Sequence, residues 1–287
     1  MQVVNTIVQG ILLGSLYALF GTGLSLIFGV MRLVNLAHGD FIVLAAYLGL
    51  LAVALGLHPL LSLVIVIPVL FILGVLLQRG ILNRVLNEGL MPPLVITFGL
   101  SVLVQNGLQL GFSADSQDLD AGALETASIR LGEVTLGAFP LITFMTAIVI
   151  LVALQLFLNR TKLGQAFRAT SDDPATAELM GINSRQIYGW AMGLSLAIVA
   201  VAGVLLGIRT NFTPTIGPAR LIFAFETVII GGLGSIWGTL AGGIILGLAQ
   251  NIGAALDPTW FQLAGHIVTL VVLAVKPSGL FARTRDA

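Results

Sequence analysis

No charged residue occurs before Arg32, and an uncharged opening of that length leaves very few folds open. As a helix it runs about 45 Å, beyond the roughly 30 Å of a bilayer core, and it has no polar face to turn toward water. The scarcity of charge continues throughout. Only 9% of the 287 residues are Asp, Glu, Lys or Arg, against roughly a quarter in soluble domains, and the mean hydropathy is +1.04. Such a chain cannot clothe a water-facing surface. It reads as an all-α, polytopic membrane helix bundle, one transmembrane domain over residues 1–287. The opening run is not read as a cleavable leader, because the positive region that precedes one is missing and the apolar stretch is too long.

The same composition excludes several functions. Thirteen basic and thirteen acidic residues cancel, and no basic run exceeds two, so nothing grips a phosphate backbone and nucleic acid is not expected as a partner. The absence of cysteine removes disulfides, Fe-S clusters, thiolate zinc sites and cysteine nucleophiles. Three scattered histidines argue against a metal enzyme. No Ser/His/Asp spacing, intramembrane carboxylate pair or H-E-x-x-H suggests catalysis in the bilayer. No catalytic residue and no metal ligand is assigned.

Uncharged intervals between charges place nine spans: Thr6 to Val30, Phe41 to Leu55, Leu60 to Leu77, Leu94 to Leu110, Phe139 to Leu158, Ile187 to Ile208, Leu221 to Gly234, Ile236 to Leu256 and Trp260 to Val275. Arg32, Arg79, Arg84, the Arg160/Lys162/Arg168/Arg185 loop and Lys276, Arg283 and Arg285 then fall on one side. By the enrichment of Lys and Arg in cytoplasmic loops, that side is the cytoplasm. The loop over 111–138 faces outward, with Asp115, Asp118, Asp120, Glu125 and Glu133 against Arg130. The amino terminus lies outside and the carboxyl terminus inside, although Arg209 and Arg220 fall on the outer side.

Two places interrupt the spans. Thr227 to Leu256 is uncharged for 30 residues, about 45 Å if helical throughout, so the helix must break, and Gly231-Gly232-Leu233-Gly234-Ser235 is where glycine weakens it most. In the first half, Gly29 through Asn35, Ala37, His38, Gly39 and Asp40 forms a dense polar cluster between two apolar runs. Paired interruptions point to a transport pathway built from inverted repeats. A plain cytoplasmic turn, with Asn35 or Asp40 capping the next helix, is the competing reading. Elsewhere Gly10/Gly14, Gly203/Gly207, Gly238/Gly242 and Gly243/Gly247 follow the small-xxx-small spacing of close helix packing.

The inner loop over 159–186 contains its own helix signal. Asp173 suits an N-cap, Pro174 the first helical position and Gly181 the position past the end, which predicts a short helix from Pro174 to Met180. Ala175 and Leu179 share its face, with Met180 beside them. A helix of this kind plugs a groove on another protein or lies on the bilayer surface, the latter disfavoured by its lack of a basic face.

These residues carry a family resemblance. The chain resembles, over nearly its whole length, the permease subunit of bacterial ABC importers for branched-chain and other hydrophobic amino acids, and more distantly sugar-importer permeases. The likeness rests on Gly10 to Leu26, Val34 to Phe41, Leu163-Gly164 through Arg168 to Asp172-Asp173, Gly181-Ile182-Asn183, Val228 to Ser235 and Lys276 to Phe281. It implies an inverted-repeat bundle of the type II importer kind in the bacterial inner membrane. It also implies a heterodimer with a related permease, two cytoplasmic ATPases and a periplasmic binding protein. By the same resemblance Arg168, Asp172, Asp173, Ala177, Glu178, Leu179 and Gly181 belong to the coupling segment. Asn35, Ala37, His38, Gly39, Asp40, Gly231, Gly232, Gly234 and Ser235 shape the substrate pathway. Glu226 departs from the family pattern and either reads a substrate ammonium or serves a structural partner.

No G-x-x-x-x-G-K-[ST] occurs, so this chain is expected to bind no cofactor, with ATP and Mg held by partner subunits. An ion-coupled secondary transporter needs titratable groups in the spans, and only Glu226 and His266 offer them, on different helices with no evident partner. A passive channel for a small amide-like or urea-like solute explains the glycine break but not the capped helix.

Overall fold

The computed structural model describes residues 2–86, 88–131 and 134–281. Glu133, Arg283 and Arg285, which entered the charge reading, lie outside them. In chain order the described residues form α1 (Gln2–Met31), α2 (His38–Ala54), α3 (Leu63–Gly80), a 3-10 turn at Leu82–Arg84, α4 (Met91–Phe112) and α5 (Ala123–Thr126). A hairpin follows, β1 (Ser128–Leu131) and β2 (Val134–Gly137), antiparallel with Ser128 opposite Gly137. Then come α6 (Ala138–Arg160), α7 (Lys162–Asp172), α8 (Pro174–Leu179), α9 (Ser184–Arg209), α10 (Gly217–Gly231), α11 (Ile236–Leu256) and α12 (Trp260–Val275).

Each of the nine expected spans overlaps a helix, although α3 starts at Leu63 and α10 ends at Gly231, and the nine are not equivalent. Among the described residues six helices are long and apolar enough to cross a bilayer: α1, α3, α4, α6, α9 and α11. α2, α10 and α12 have 17, 15 and 16 residues, about 22–26 Å, short of a full crossing.

α1 and α9 form the centre. In each, 89% of the most apolar stretch is buried, against 17% in α4, which faces outward. A helix apolar on every side is stable where neighbours surround it, and α1 has them. α11 runs along α1 as α3 runs along α9; α10 packs on α1 as α2 packs on α9; α4 touches α2 as α12 touches α10. The helices α1 to α4 thus have counterparts in α9 to α12. The α1–α11 contact uses the glycine spacing read from the sequence: a methyl group on Gly14 would run into the Gly243 carbonyl, and one on Gly247 into the Gly10 carbonyl.

The bundle has two distinct ends. One carries the hairpin and the tip of α9, and there the loop after α4 meets the chain beyond α9, Gln117 and Phe212 exchanging backbone hydrogen bonds of 2.9 and 2.8 Å. The other carries α7, α8 and the end of α1.

Candidate functional site

The Asn35 to Asp40 cluster is a re-entrant turn inside the bundle. α1 ends at Met31, and Arg32 takes a left-handed φ of 51°, reversing the chain. Asn35 Oδ1 accepts the Ala37 amide at 3.0 Å, and His38 Nε2 donates to the Phe20 carbonyl at 2.8 Å. Phe20 lies 11 residues before Met31, about 16 Å along the helix, so the chain climbs that far back before α2 begins. The turn is therefore not at the end of the bundle. Asn35, Ala37, His38 and Asp40 are all buried, and His38 serves here as a pin between α1 and α2.

The counterpart of this turn is not the glycine break but residues 210–216. α9 ends at Arg209, and the chain then returns into the bundle to start α10 at Gly217. There a methyl group on Gly217 would strike the Asp40 carboxylate, and one on Gly39 would strike the Gly217 carbonyl. Gly203, six residues before the end of α9, packs on the Ile42 carbonyl, which puts the start of α10 on the order of 12 Å inside. The first turns of α2 and α10 thus abut within the bundle, and the two helices run to opposite ends. Asp40, beside the amino-terminal turn of α10, places a carboxylate where the helix dipole is positive, both its oxygens buried without a hydrogen-bond partner among the described residues. Sequence reasoning missed 210–216; Pro214 and the Gly217-Pro218 pair were the turn signals that could have found it.

The glycine break lies where expected in sequence but at the α8 end of the bundle. α10 stops at Gly231, and Gly232 and Gly234 have φ of 103° and 77°, which only glycine adopts at little cost. Ser235 caps α11 by accepting the Gly238 amide at 3.1 Å. The freed carbonyls of α10 are taken up by the last described residues: Leu280 N–H donates to Ile230 at 2.9 Å and Phe281 N–H to Gly231 at 3.0 Å. The Lys276 to Phe281 stretch is thus a strap over the broken helix end.

Glu226 and His266 correct the expectation that neither has a partner. Glu226 Oε1 meets His266 Nδ1, joining α10 to α12, with Glu226 buried and His266 about half exposed. The spacing of 40 residues between two short helices hid the pair from the sequence.

At the α8 end, Thr161 caps α7 through the Gly164 amide at 2.9 Å, a helix the sequence reading did not place. α7 buries Phe167 and Thr170, and its Ser171 hydroxyl donates to the Gly29 carbonyl of α1. Ser25, Gly29, Arg168, Ser171, Gly234 and Ser235 line part of a cavity of about 160 Å³ between α7 and the glycine break. Asp173 caps α8, accepting from the Thr176 hydroxyl and from the amides of Ala175 and Thr176. These bonds, the Thr176 hydroxyl first, hold its carboxyl below the usual range. Leu179 and Met180 stand 87% and 80% exposed beyond this cap. Glu178 and Gly181 are exposed as well, whereas Ala177 is turned inward and buried, its carbonyl accepting the Ile182 amide at 3.0 Å.

Central helices whose only charges stand at their ends, two helices that begin mid-bundle and a capped apolar peg at one end define a polytopic membrane protein of the transport class. The chain belongs to the family described as branched-chain amino acid transport system permease component, which matches residues 6–275. It is 30% identical to the high-affinity branched-chain amino acid transport system permease protein BraD of Pseudomonas aeruginosa, over 96% of this chain and 95% of that one. It is 28% identical to the permease protein LivH of Escherichia coli K12, over 96% and 94%. A fructose import permease, FrcC of Rhizobium meliloti, is 30% identical over 71% of this chain and 60% of its own. No solved structure matches. The family is a transporter component, not an enzyme.

Proposed function

We propose that this chain is the membrane permease of an ATP-driven ABC importer for branched-chain or other small amino acids. The observation that carries the proposal, beside family membership, is α8: a capped helix between two membrane helices whose Leu179 and Met180 have no partner in their own chain's core. An apolar pair of that exposure, held rigid by Asp173, is suited to seat in a groove of a second protein.

In this reading the α8 end is cytoplasmic, the hairpin end is periplasmic and the membrane is the bacterial inner membrane. ATP and Mg reside on two ATPase subunits, and this chain binds neither. A related permease completes the path, lipid surrounds the outward faces of α3, α4 and α6, and a periplasmic protein delivers the solute. The matched packing of α1 to α4 and α9 to α12 supports an inverted repeat of the type II importer kind. The Asn35 to Asp40 turn, Gly217 and the Gly231 to Ser235 break line or gate the path. Arg168 and Ser171 carry motion from the coupling segment to the end of α1. Family membership does not favour an ion-coupled carrier or a passive channel.

Reconstitution tests this. Uptake into vesicles by the assembled importer is expected to need ATP and the binding protein; uptake by the isolated chain on an ion gradient would overturn the proposal.

A further inference from the structure

At the α8 end of the bundle, the last turn of α3 and the first turn of α9 enclose a cavity apart from the one beside α7. It measures about 320 Å³ and is lined by Arg79, Asn83, Asn183, Arg185 and Gln186. Each of these side chains carries N–H donors, and no carboxylate is among them. Its walls are tied together. Gln78, fully buried, donates through Nε2 to Asn83 Oδ1 at 3.0 Å, and Asn83 Nδ2 donates to the Arg185 carbonyl at 3.1 Å. A methyl group on Gly189, one turn along α9 from Arg185, would meet Arg79 Nε at 3.2 Å, so the Arg79 side chain lies across α9 there. Asn183 caps α9 by accepting the Gln186 amide at 3.0 Å, and this positive helix end adds to the field of the two guanidinium groups.

The surface beside the cavity identifies its occupant. Arg79 ends an outward stripe of α3 whose other members, Ile65, Val69, Ile72 and Leu76, recur at helical spacing and are all exposed. In a bilayer such a face meets acyl chains. Near the start of α9 the Trp190 ring packs on Phe71 of α3, their centres 5.6 Å apart, an aromatic pair of the kind enriched at headgroup level. A phospholipid whose chains follow Ile72 and Leu76 brings its phosphate to Arg79, and guanidinium forks match phosphate oxygens in bidentate geometry. Basic pockets between membrane helices on the cytoplasmic side suit anionic headgroups. A zwitterionic headgroup adds a cation, which a pocket without a carboxylate does not pair. We infer that the pocket between Arg79 and Arg185 is a site for the headgroup of an anionic phospholipid. Asn183 follows α8 by way of Gly181 and Ile182, so a headgroup held there steadies the root of the peg. The inference rests on the import reading only for its placement in the cytoplasmic leaflet.

The test uses the assembled importer in vesicles of equal parts phosphatidylglycerol and phosphatidylcholine, one or the other carrying a photoreactive acyl chain. Labelling of the α3 peptide that holds Ile72 and Leu76, read by peptide mass spectrometry, is expected to be about tenfold stronger from phosphatidylglycerol. In the double variant R79Q/R185Q the two lipids are expected to label alike, whereas R79K/R185K, which keeps the charge, retains a preference. Equal labelling in the wild type overturns the site, and this comparison stands even where a variant fails to assemble. A preference unchanged in R79Q/R185Q overturns it too, in favour of an acidic protein surface when the ATPases no longer copurify. Loss of the preference on adding tens of millimolar inorganic phosphate, but not chloride at the same ionic strength, would assign the pocket to free phosphate and overturn the lipid. Uptake enters none of these readouts: failed import removes the import reading and leaves the headgroup site standing.

Discussion

The two re-entrant turns share a backbone plan and differ in what fastens them. After α1 the turn is held by side chains, Asn35 on the Ala37 amide and His38 on the Phe20 carbonyl, all buried. After α9 it is held by backbone through the Gln117–Phe212 exchange, with Gly217 lying against the Asp40 carboxylate. The charges sit unequally too: Arg209, Arg220 and Glu226 all belong to the second half. Matched helix order and small residues suffice to repeat an architecture, which leaves helix length and side-chain chemistry free to diverge between the repeats.

This contrast can be broken at its shared point first. Replacing Gly39 by Leu drives a side chain into the Gly217 carbonyl, and replacing Gly217 by Leu drives one into the buried Asp40 carboxylate; each is expected to destabilise the bundle by about 3 kcal/mol. Thermal unfolding in detergent measures it, and tolerance at either position would contradict the abutment of α2 and α10. The next effect separates the two turns. His38→Ala is expected to cost about 2 kcal/mol, through a cavity and the lost bond to the Phe20 carbonyl, whereas Thr213→Ala in the other turn should stay within about 0.5 kcal/mol. Equal losses would mean that side chains fasten both.

A third substitution addresses the second half alone. His266→Leu leaves the buried Glu226 carboxylate without its partner and is expected to cost about 1–2 kcal/mol, reduced because His266 is half exposed. In the double variant with Glu226→Leu most of that loss should be recovered, and simple additivity would rule out coupling. The smallest effect lies outside the membrane. The Asp173 carboxyl is held low by its cap bonds, so its contribution to α8 is present above the ordinary Asp range and fades as pH falls through the lowered value. Copurification of the ATPases should weaken modestly in Asp173→Ala at neutral pH and should not change across the neutral range in the wild type.

What the sequence made legible follows from the physics of each signal. Charge-free length gave the helices, because it acts locally. The Asp173, Pro174 and Gly181 pattern gave α8 for the same reason, with the helix ending at Leu179 and Met180 as its cap. The 30 uncharged residues gave the break at Gly231 to Ser235, a consequence of bilayer thickness. Depth was not legible: nothing local distinguishes a turn at the end of a helix from one 16 Å inside it, and long-range contacts such as Phe20 with His38 do so. Contacts between distant short helices, such as Glu226 with His266, were hidden likewise. The hairpin escaped because four-residue strands carry too little alternation. Within the site, the Ala177 carbonyl and the Gly29–Ser171 bond depend on how α7 folds back, which no spacing in the loop encodes.

The depth of the first turn carries the rest of the account, and a cross-link measures it directly. His38 Cε1 and Ser195 Oγ lie 3.0 and 2.9 Å from the point where a side chain on Gly23 would begin, about 12 Å along α1 from Met31. Cysteines at positions 38 and 195 are therefore expected to be bridged by a short bifunctional thiol reagent in membranes, while a pair at 38 and 31 is not. Linkage of 38 to 31 with none to 195 would show that α2 starts at the end of the bundle and contradict the re-entrant fold.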